Sequence, residues 1–226
     1  NVHAHLADDG ILVQWIHTYE SREEMVALVM RTLRETFPYA TTWEALPSDL
    51  IMVTSKRPLT FDPARIEARM ARPAVREDLA RADVKDLATL LASQMHSSEG
   101  QLAFAGEGPI NTDDLNLLEY GSPVAFFLEP KRIPLQDERR SLATAHRLFM
   151  ASWLAAHPPT PEEAENIHRY MVKMRSKTDP LVLASAELWF RTAPGPASRA
   201  ALAQTLLSLG DLGRAREVLA AAEDTP

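Results

Sequence analysis

The sequence predicts an α/β segment with about three strands, followed by an all-α region of helical hairpins. Two observations carry that expectation. Apolar runs of strand length, bounded by turn residues, cluster before residue 60 and flank one amphipathic helical stretch. Beyond about residue 130 no strand pattern remains, and apolar residues recur at helical spacing between Pro and Gly breaks. The expected division is 1–128 for the α/β part and 129–226 for the helical part.

Residues 1 to 7 read as the end of a helix, with Gly10 near its stop. Ile11 to Ile16 (ILVQWI) follow Asp8-Asp9-Gly10, and so short an apolar run reads as a buried strand. Ser21-Arg22-Glu23-Glu24 has the spacing of a capping box, in which Ser21 accepts from the Glu24 amide. Met25, Leu28, Val29, Leu33 and Phe37 then share one helical face, and Pro38 ends the helix. Ala40 to Leu46 and Leu50 to Ser55 read as strands joined by Pro47-Ser48-Asp49. So short a connection requires the two to be antiparallel. The helical crossover before them returns the chain parallel to the first strand.

From Asp62 the pattern is helical, with Pro63 and Pro73 at first helical positions. Asp83 to Asp86 reads as a further cap, followed by Leu87, Leu90, Leu91 and Met95 on one face. Residues 97–123, rich in Gly, Asn, Asp and Pro, read as a loop. Helices are expected at about 135–156, 161–176, 179–193, 197–209 and 211–223. In the last pair, Leu202, Leu209, Gly210, Ala215, Leu219 and Ala222 fall where two helices of a hairpin touch. The LGDLGRA stretch resembles a tetratricopeptide hairpin, without the Trp and Tyr that mark its first helix.

The chain is 46% hydrophobic and 24% charged, with a formal charge of −7. That balance disfavours nucleic acid and anionic membrane surfaces as partners, since both need a basic face. There are no cysteines, so disulfides and thiolate metal sites are excluded. No apolar run reaches the roughly 20 residues of a membrane span. His3 and His5 lie two apart, on different faces of a helix, and His146, His157 and His168 are scattered, so no metal set is expected. Trp153, Trp189 and Phe190 sit at core-like helical positions.

An ordered set of features resembles the C-terminal part of spermidine synthase-like proteins, especially the bacterial kind fused to a membrane region. The set comprises Leu6, Gly10 to Trp15, Phe37-Pro38, Trp43, Asp49 to Lys56, Asn111 to Asp114, Leu118-Glu119-Tyr120 and Pro123. It covers about residues 1 to 125. The resemblance implies a partial Rossmann-like methyltransferase sheet. Residues 10–17 would be its fifth strand, 40–46 the sixth, and 50–55 the seventh, inserted antiparallel between them. Further parallel strands would precede residue 1 and carry the cofactor-binding turn and catalytic carboxylates. No cofactor is therefore expected on this chain, although the full-length parent would use decarboxylated S-adenosylmethionine or S-adenosylmethionine. The only Gly-x-Gly, Gly106-Glu107-Gly108, has no strand before it.

Ligands of open α/β sheets bind beyond the carboxyl ends of the parallel strands. That places Gln14, Trp15, His17 and Tyr19 as candidate substrate-binding residues. In the family a Gln near this end faces the amine acceptor; here Trp15 stands at that place and Gln14 one position earlier. Asp113 and Asp114 suit two roles, holding a cationic amine or forming a turn and helix cap. Glu119 and Tyr120 would tie that segment to the sheet.

Two functions are in view. In the first, the chain is the acceptor-side part of an aminopropyltransferase-like enzyme, cytoplasmic or the soluble domain of an inner-membrane protein, and inactive alone. It would meet a membrane only through segments outside this sequence. In the second, its helical hairpins bind a partner peptide or protein. A strand lacking a neighbour also leaves an open edge and an uncovered apolar face, which invites self-association.

Overall fold

The computed structural model describes residues 2–19, 21–128, 137–140 and 147–220. In chain order these form α1 (Val2–His5), β1 (Ile11–His17), α2 (Glu23–Thr36), β2 (Tyr39–Leu46), β3 (Asp49–Ser55), α3 (Pro63–Met70), α4 (Pro73–Arg81), α5 (Leu87–Ala92) and β4 (Gln94–His96). Then follow α6 (Ser98–Ala105), α7 (Leu117–Leu128), a 3-10 turn at Glu138–Arg140, α8 (Phe149–Ala156), α9 (Pro161–Met174), α10 (Pro180–Thr192), α11 (Pro196–Ser208) and α12 (Leu212–Ala220). The protein is mixed α/β. It divides into two compact units, one of Asn1–Asp62 with Ser93–Ser152 and one of Pro63–Ala92 with Trp153–Pro226.

The first unit holds a four-stranded antiparallel sheet in the order β1-β3-β2-β4. β3 pairs antiparallel with both β1 and β2, so β1 and β2 run parallel to each other. Trp15, Ile51 and Trp43 align across three strands, as do Val13, Val53 and Thr41. The turn between β2 and β3 is tight enough to put Ser48 at φ 78°, in the left-handed region. Because side chains alternate, one face of the sheet collects Ile16, Leu50 and Met52. That face packs on Val26 and Met30 of α2 and on Phe104 and Ala105 of α6, with Met95 of β4, to form the core. On the other face Phe149 lies 6.2 Å from Trp43 and stacks on Phe61 at 5.3 Å. At the β1 end of the same face the cover stops: Ile11, Val13 and Trp15 are 53%, 53% and 54% exposed.

Several sequence expectations are corrected here. The run Ile11 to Ile16 is not a buried strand. β1 is the outer strand of the sheet, and its odd-numbered side chains are exposed. Met95 does not continue a helix; Gln94–His96 is an edge strand, pinned by pairing to Thr42 and Trp43 and buried at all three positions. Residues 97–123 are not a loop throughout. Ser97 caps α6 by accepting from the Gly100 amide, and α7 runs through Gly121 and Pro123. Of the helix expected over 135–156, Glu138–Arg140 is a 3-10 turn and Phe149–Ala156 is helical. Its remaining residues within 135–136 and 141–146 lie outside the described residues, as does Ala222.

A buried carboxylate fixes that 3-10 turn. Glu138 accepts from the Ser97 amide and from the Ser97 hydroxyl, both at 2.9 Å, at the positive end of α6. A Cβ on Gly100 would sit 1.5 Å from Glu138 Oε1, so only glycine admits the carboxylate there.

In the second unit Asn166 of α9 donates to Asp86 at 2.8 Å, and Lys173 pairs with Asp83. The Lys173 hydrogen bond holds the Asp83 carboxyl below the usual carboxylate range. Thr160 and Glu163 form a full capping box on α9. His168 packs on Trp189 with ring centres 5.6 Å apart, and burial lowers its pKa. Ser185 donates to the Val182 carbonyl and meets His168 Nδ1 at 3.0 Å. Ala186, Leu202, Leu206 and Ala215 make the core of the α10–α12 hairpins, with Phe190 against it. Leu209 and Leu219, expected at the hairpin contact, are instead 37% and 49% exposed. The α11–α12 turn bends at Gly210, φ 79°, in the left-handed region that favours glycine.

Candidate functional site

The carboxyl end of β1 opens on a cleft of about 230 Å³ lined by Trp15, Ile16, His17, Ser21, Met25, Val26, Val29, Leu118 and Ser122. Each wall has a local cause. β1 ends at His17, and the chain is held there by the Thr18 amide and hydroxyl, which both donate to the Ser48 carbonyl. α2 starts at Glu23 with Arg22 as its cap residue and no side-chain cap bond. The expected Ser21–Glu24 capping box therefore does not form. With the cap one residue later, Ser21 is left to line the cleft.

The third wall comes from α7, tied to α2 by backbone and side-chain bonds. Arg31 donates to the carbonyls of Ala105 and Pro109, at 2.6 and 2.8 Å. The Asn111 amide donates to the Thr32 hydroxyl at 2.9 Å, and Asn111 Oδ1 accepts from the Leu118 amide at 2.8 Å, starting α7. Gly121 then lets α7 approach α2, since a Cβ there would lie 2.6 Å from Met25 Sδ.

The six residues singled out from the sequence separate. Trp15 and His17 line the cleft. Tyr19 extends the row: its ring stacks on His17 at 4.5 Å, and His17 lies 5.7 Å from Trp15. Period-two spacing along an extended chain puts these three rings on one side. Gln14, adjacent in sequence, projects to the other face, is exposed, and donates to the Trp15 carbonyl at 2.8 Å. Asp113 and Asp114 are exposed on the turn before α7 and are not among the cleft's lining residues. Thr112 closes that turn by accepting from the Leu115 amide at 3.0 Å. Glu119 bonds Asn116, and Tyr120 is 77% exposed, so neither ties the segment to the sheet as expected.

The cleft is chemically plain. Among the described residues its hydrogen-bonding side chains are two hydroxyls, one imidazole and one indole N–H, and no carboxylate, lysine or arginine lines it. Among the described residues no three His, Asp or Glu side chains converge as a metal site. Among them, too, no helix is long and apolar enough to cross a membrane. Met25, Ser21 and Ser122 are not legible as cleft residues in the sequence because they lie in stretches that read as core, cap and loop. No family model, curated protein or solved structure matches the chain.

Proposed function

We propose that this chain supplies the acceptor-side part of a spermidine synthase-like transferase. The supporting observation is the sheet order: an antiparallel strand, β3, inserted between two parallel ones, β1 and β2, that a helical crossover connects. That is the arrangement the resemblance implies for the last three strands of a Rossmann-like methyltransferase sheet. β4 is an addition at the far edge. In this reading the open edge of β1 receives a parallel strand, the row Ile11, Val13 and Trp15 is covered by that other half, and the substrate enters at the carboxyl end of β1. The parent is cytoplasmic or exposes this part to the cytoplasm.

In this reading the nucleoside cofactor is held outside this chain. The turn after β1 has no glycine, and Gly106 and Gly108 follow a helix, where Arg31 packs beside Gly108. The chain's own contribution is then to shape and orient the acceptor, a positioning role, while donor binding and proton removal fall to other residues. The test is 5′-methylthioadenosine release from decarboxylated S-adenosylmethionine in the presence of an amine acceptor such as 1,4-diaminobutane, whose nitrogen takes the aminopropyl group and gives up a proton. The polypeptide encoded by the complete reading frame containing residues 1–226 is expected to release it, and the 226-residue chain alone is not. A complete frame that encodes neither a glycine-rich turn nor an acidic segment ahead of Asn1 overturns the reading.

A second reading concerns the other unit. Leu207, Leu212 and Leu219 are 48%, 56% and 49% exposed on α11 and α12, apolar side chains open to a partner peptide. In that reading the tetratricopeptide-like hairpins are an interaction module. Alanine at these three positions leaves the unfolding midpoint unchanged and removes the partner; retention of the partner argues against it.

A further inference from the structure

We infer that the second unit binds a short zwitterionic peptide, of dipeptide size and with apolar side chains, in a cleft that neither functional reading above uses. The cleft lies among α3, α4, the turn into α5 and the start of α9. Its apolar surface is Met70, Leu79, Val84 and Leu87, the first two half-buried and the last two buried. Charges of both signs line it as well, and they come from different elements. Arg76 of α4 and Lys85 of the turn before α5 are the cations, while α3 supplies Glu67 and α9 supplies Glu163. A third carboxylate, Asp86, is committed to the fold: its two oxygens accept from the Thr89 amide at 2.7 Å and the Asn166 side chain at 2.8 Å. Glu163 uses one oxygen to accept from the Thr160 amide at 2.8 Å.

The acids nearest the two cations in sequence are engaged elsewhere. Glu77 and Asp78 pair with Arg81 at 3.2 and 3.1 Å, and Asp83 pairs with Lys173. Asp83 stands at φ 59°, in the left-handed region, where α4 ends and the Val84 amide donates back to the Leu79 carbonyl at 3.0 Å. Val84 and Lys85 thus lie between two anchors, Asp83 on Lys173 and Asp86 on Asn166. A wall fixed in this way is formed before a ligand arrives, which lowers the ordering cost of binding.

The ligand must answer three surfaces. A wholly apolar one covers the charged groups without pairing them. A singly charged one matches one sign and is opposed by the other. In a zwitterion with an apolar body, the carboxylate accepts from Arg76 and Lys85, the ammonium donates to Glu67 and Glu163, and the side chains cover Met70 and Leu79. An enclosed cavity of about 150 Å³ with aliphatic walls holds benzene. On that scale about 390 Å³ has room for roughly 16 non-hydrogen atoms, the size of leucyl-leucine.

The experiment is a titration of the ¹⁵N-labelled chain with L-leucyl-L-leucine, followed by amide shifts. Two analogues each delete one charge: L-leucyl-L-leucinamide has no carboxylate, and 4-methylpentanoyl-L-leucine has no amine. Leucyl-leucine is expected to move the signals of Leu79, Val84, Lys85 and Leu87. Each analogue is expected to bind about tenfold more weakly, the scale of two lost ion pairs at a partly exposed site. Arg76→Gln and Glu67→Gln change exposed side chains, so the remaining spectrum is expected to persist. Arg76→Gln is expected to weaken leucyl-leucine about threefold and to leave leucyl-leucinamide unchanged. Glu67→Gln is expected to weaken leucyl-leucine about threefold and to leave the analogue without the amine unchanged. Silence of these four amides toward leucyl-leucine overturns the inference. So does an analogue that binds as tightly as leucyl-leucine, or a leucyl-leucine affinity that neither variant lowers.

Discussion

Replacing Gly100 by alanine tests how the first unit is locked. The new Cβ would fall 1.5 Å from Glu138 Oε1 and 2.0 Å from its Cδ, inside any tolerable contact. Both the helix backbone and the buried Glu138 are constrained, so the carboxylate must leave. Its departure breaks two charge-assisted bonds to Ser97, worth roughly 1.5–3 kcal/mol each. Alanine returns about 1 kcal/mol of helix propensity over glycine. The net expectation is a loss of about 2–5 kcal/mol, read as a lower urea midpoint at unchanged m-value in far-UV circular dichroism. In a Glu138→Ala background the same Gly100→Ala change has nothing to strike, and is expected to be neutral or to stabilise by about 1 kcal/mol. A Gly100→Ala variant as stable as the parent, in the native background, refutes the locked geometry.

The two helix starts that look alike in sequence should behave differently. Thr160→Ala removes an observed capping box and costs about 1 kcal/mol, whereas Ser21→Ala, at a cap that does not form, changes stability by no more than about 0.5 kcal/mol; equal losses in denaturant titrations contradict this. His168 supplies a pH dependence. Burial lowers its folded-state pKa, so the unfolded chain binds the proton first, below about pH 6.5. Its contribution is complete above that pH and declines as the pH falls toward the folded value. Unfolding midpoints at pH 7.5 and 5.5 check the sign, and His168→Gln should flatten the difference. Gly210→Ala places a Cβ at φ 79° and is expected to cost about 1 kcal/mol, measured as an earlier thermal transition of the α11–α12 hairpin.

What could be read beforehand follows from where local chemistry decides the outcome. The strands at 11–17, 39–46 and 49–55 were legible because their apolar runs end at Asp8-Asp9-Gly10 and at Pro47-Ser48-Asp49. A short connection leaves one pairing, so β3 against β2 was legible too. β4 was not: Gln94, Met95 and His96 carry no strand pattern, and only pairing with Thr42 and Trp43 makes them extended. α6 and α7 were obscured by Gly100, Gly121 and Pro123, residues that read as breakers. The structure instead uses both glycines for close approach, to Glu138 and to Met25. At the site, Trp15 and His17 were found from the rule about strand ends. Ser21 was assigned to a cap because its spacing to Glu24 is right, and only the helix start at Glu23 frees it.

The arrangement of three strands bears the whole functional reading, and cross-strand nuclear Overhauser effects measure it directly. The expected pattern has β3 backbone protons close to both neighbours, Ile51 to Trp15 and Ile51 to Trp43, with none joining β1 to β2. Contacts running straight from Trp15 to Trp43 backbone protons, with β3 at an edge, would contradict it.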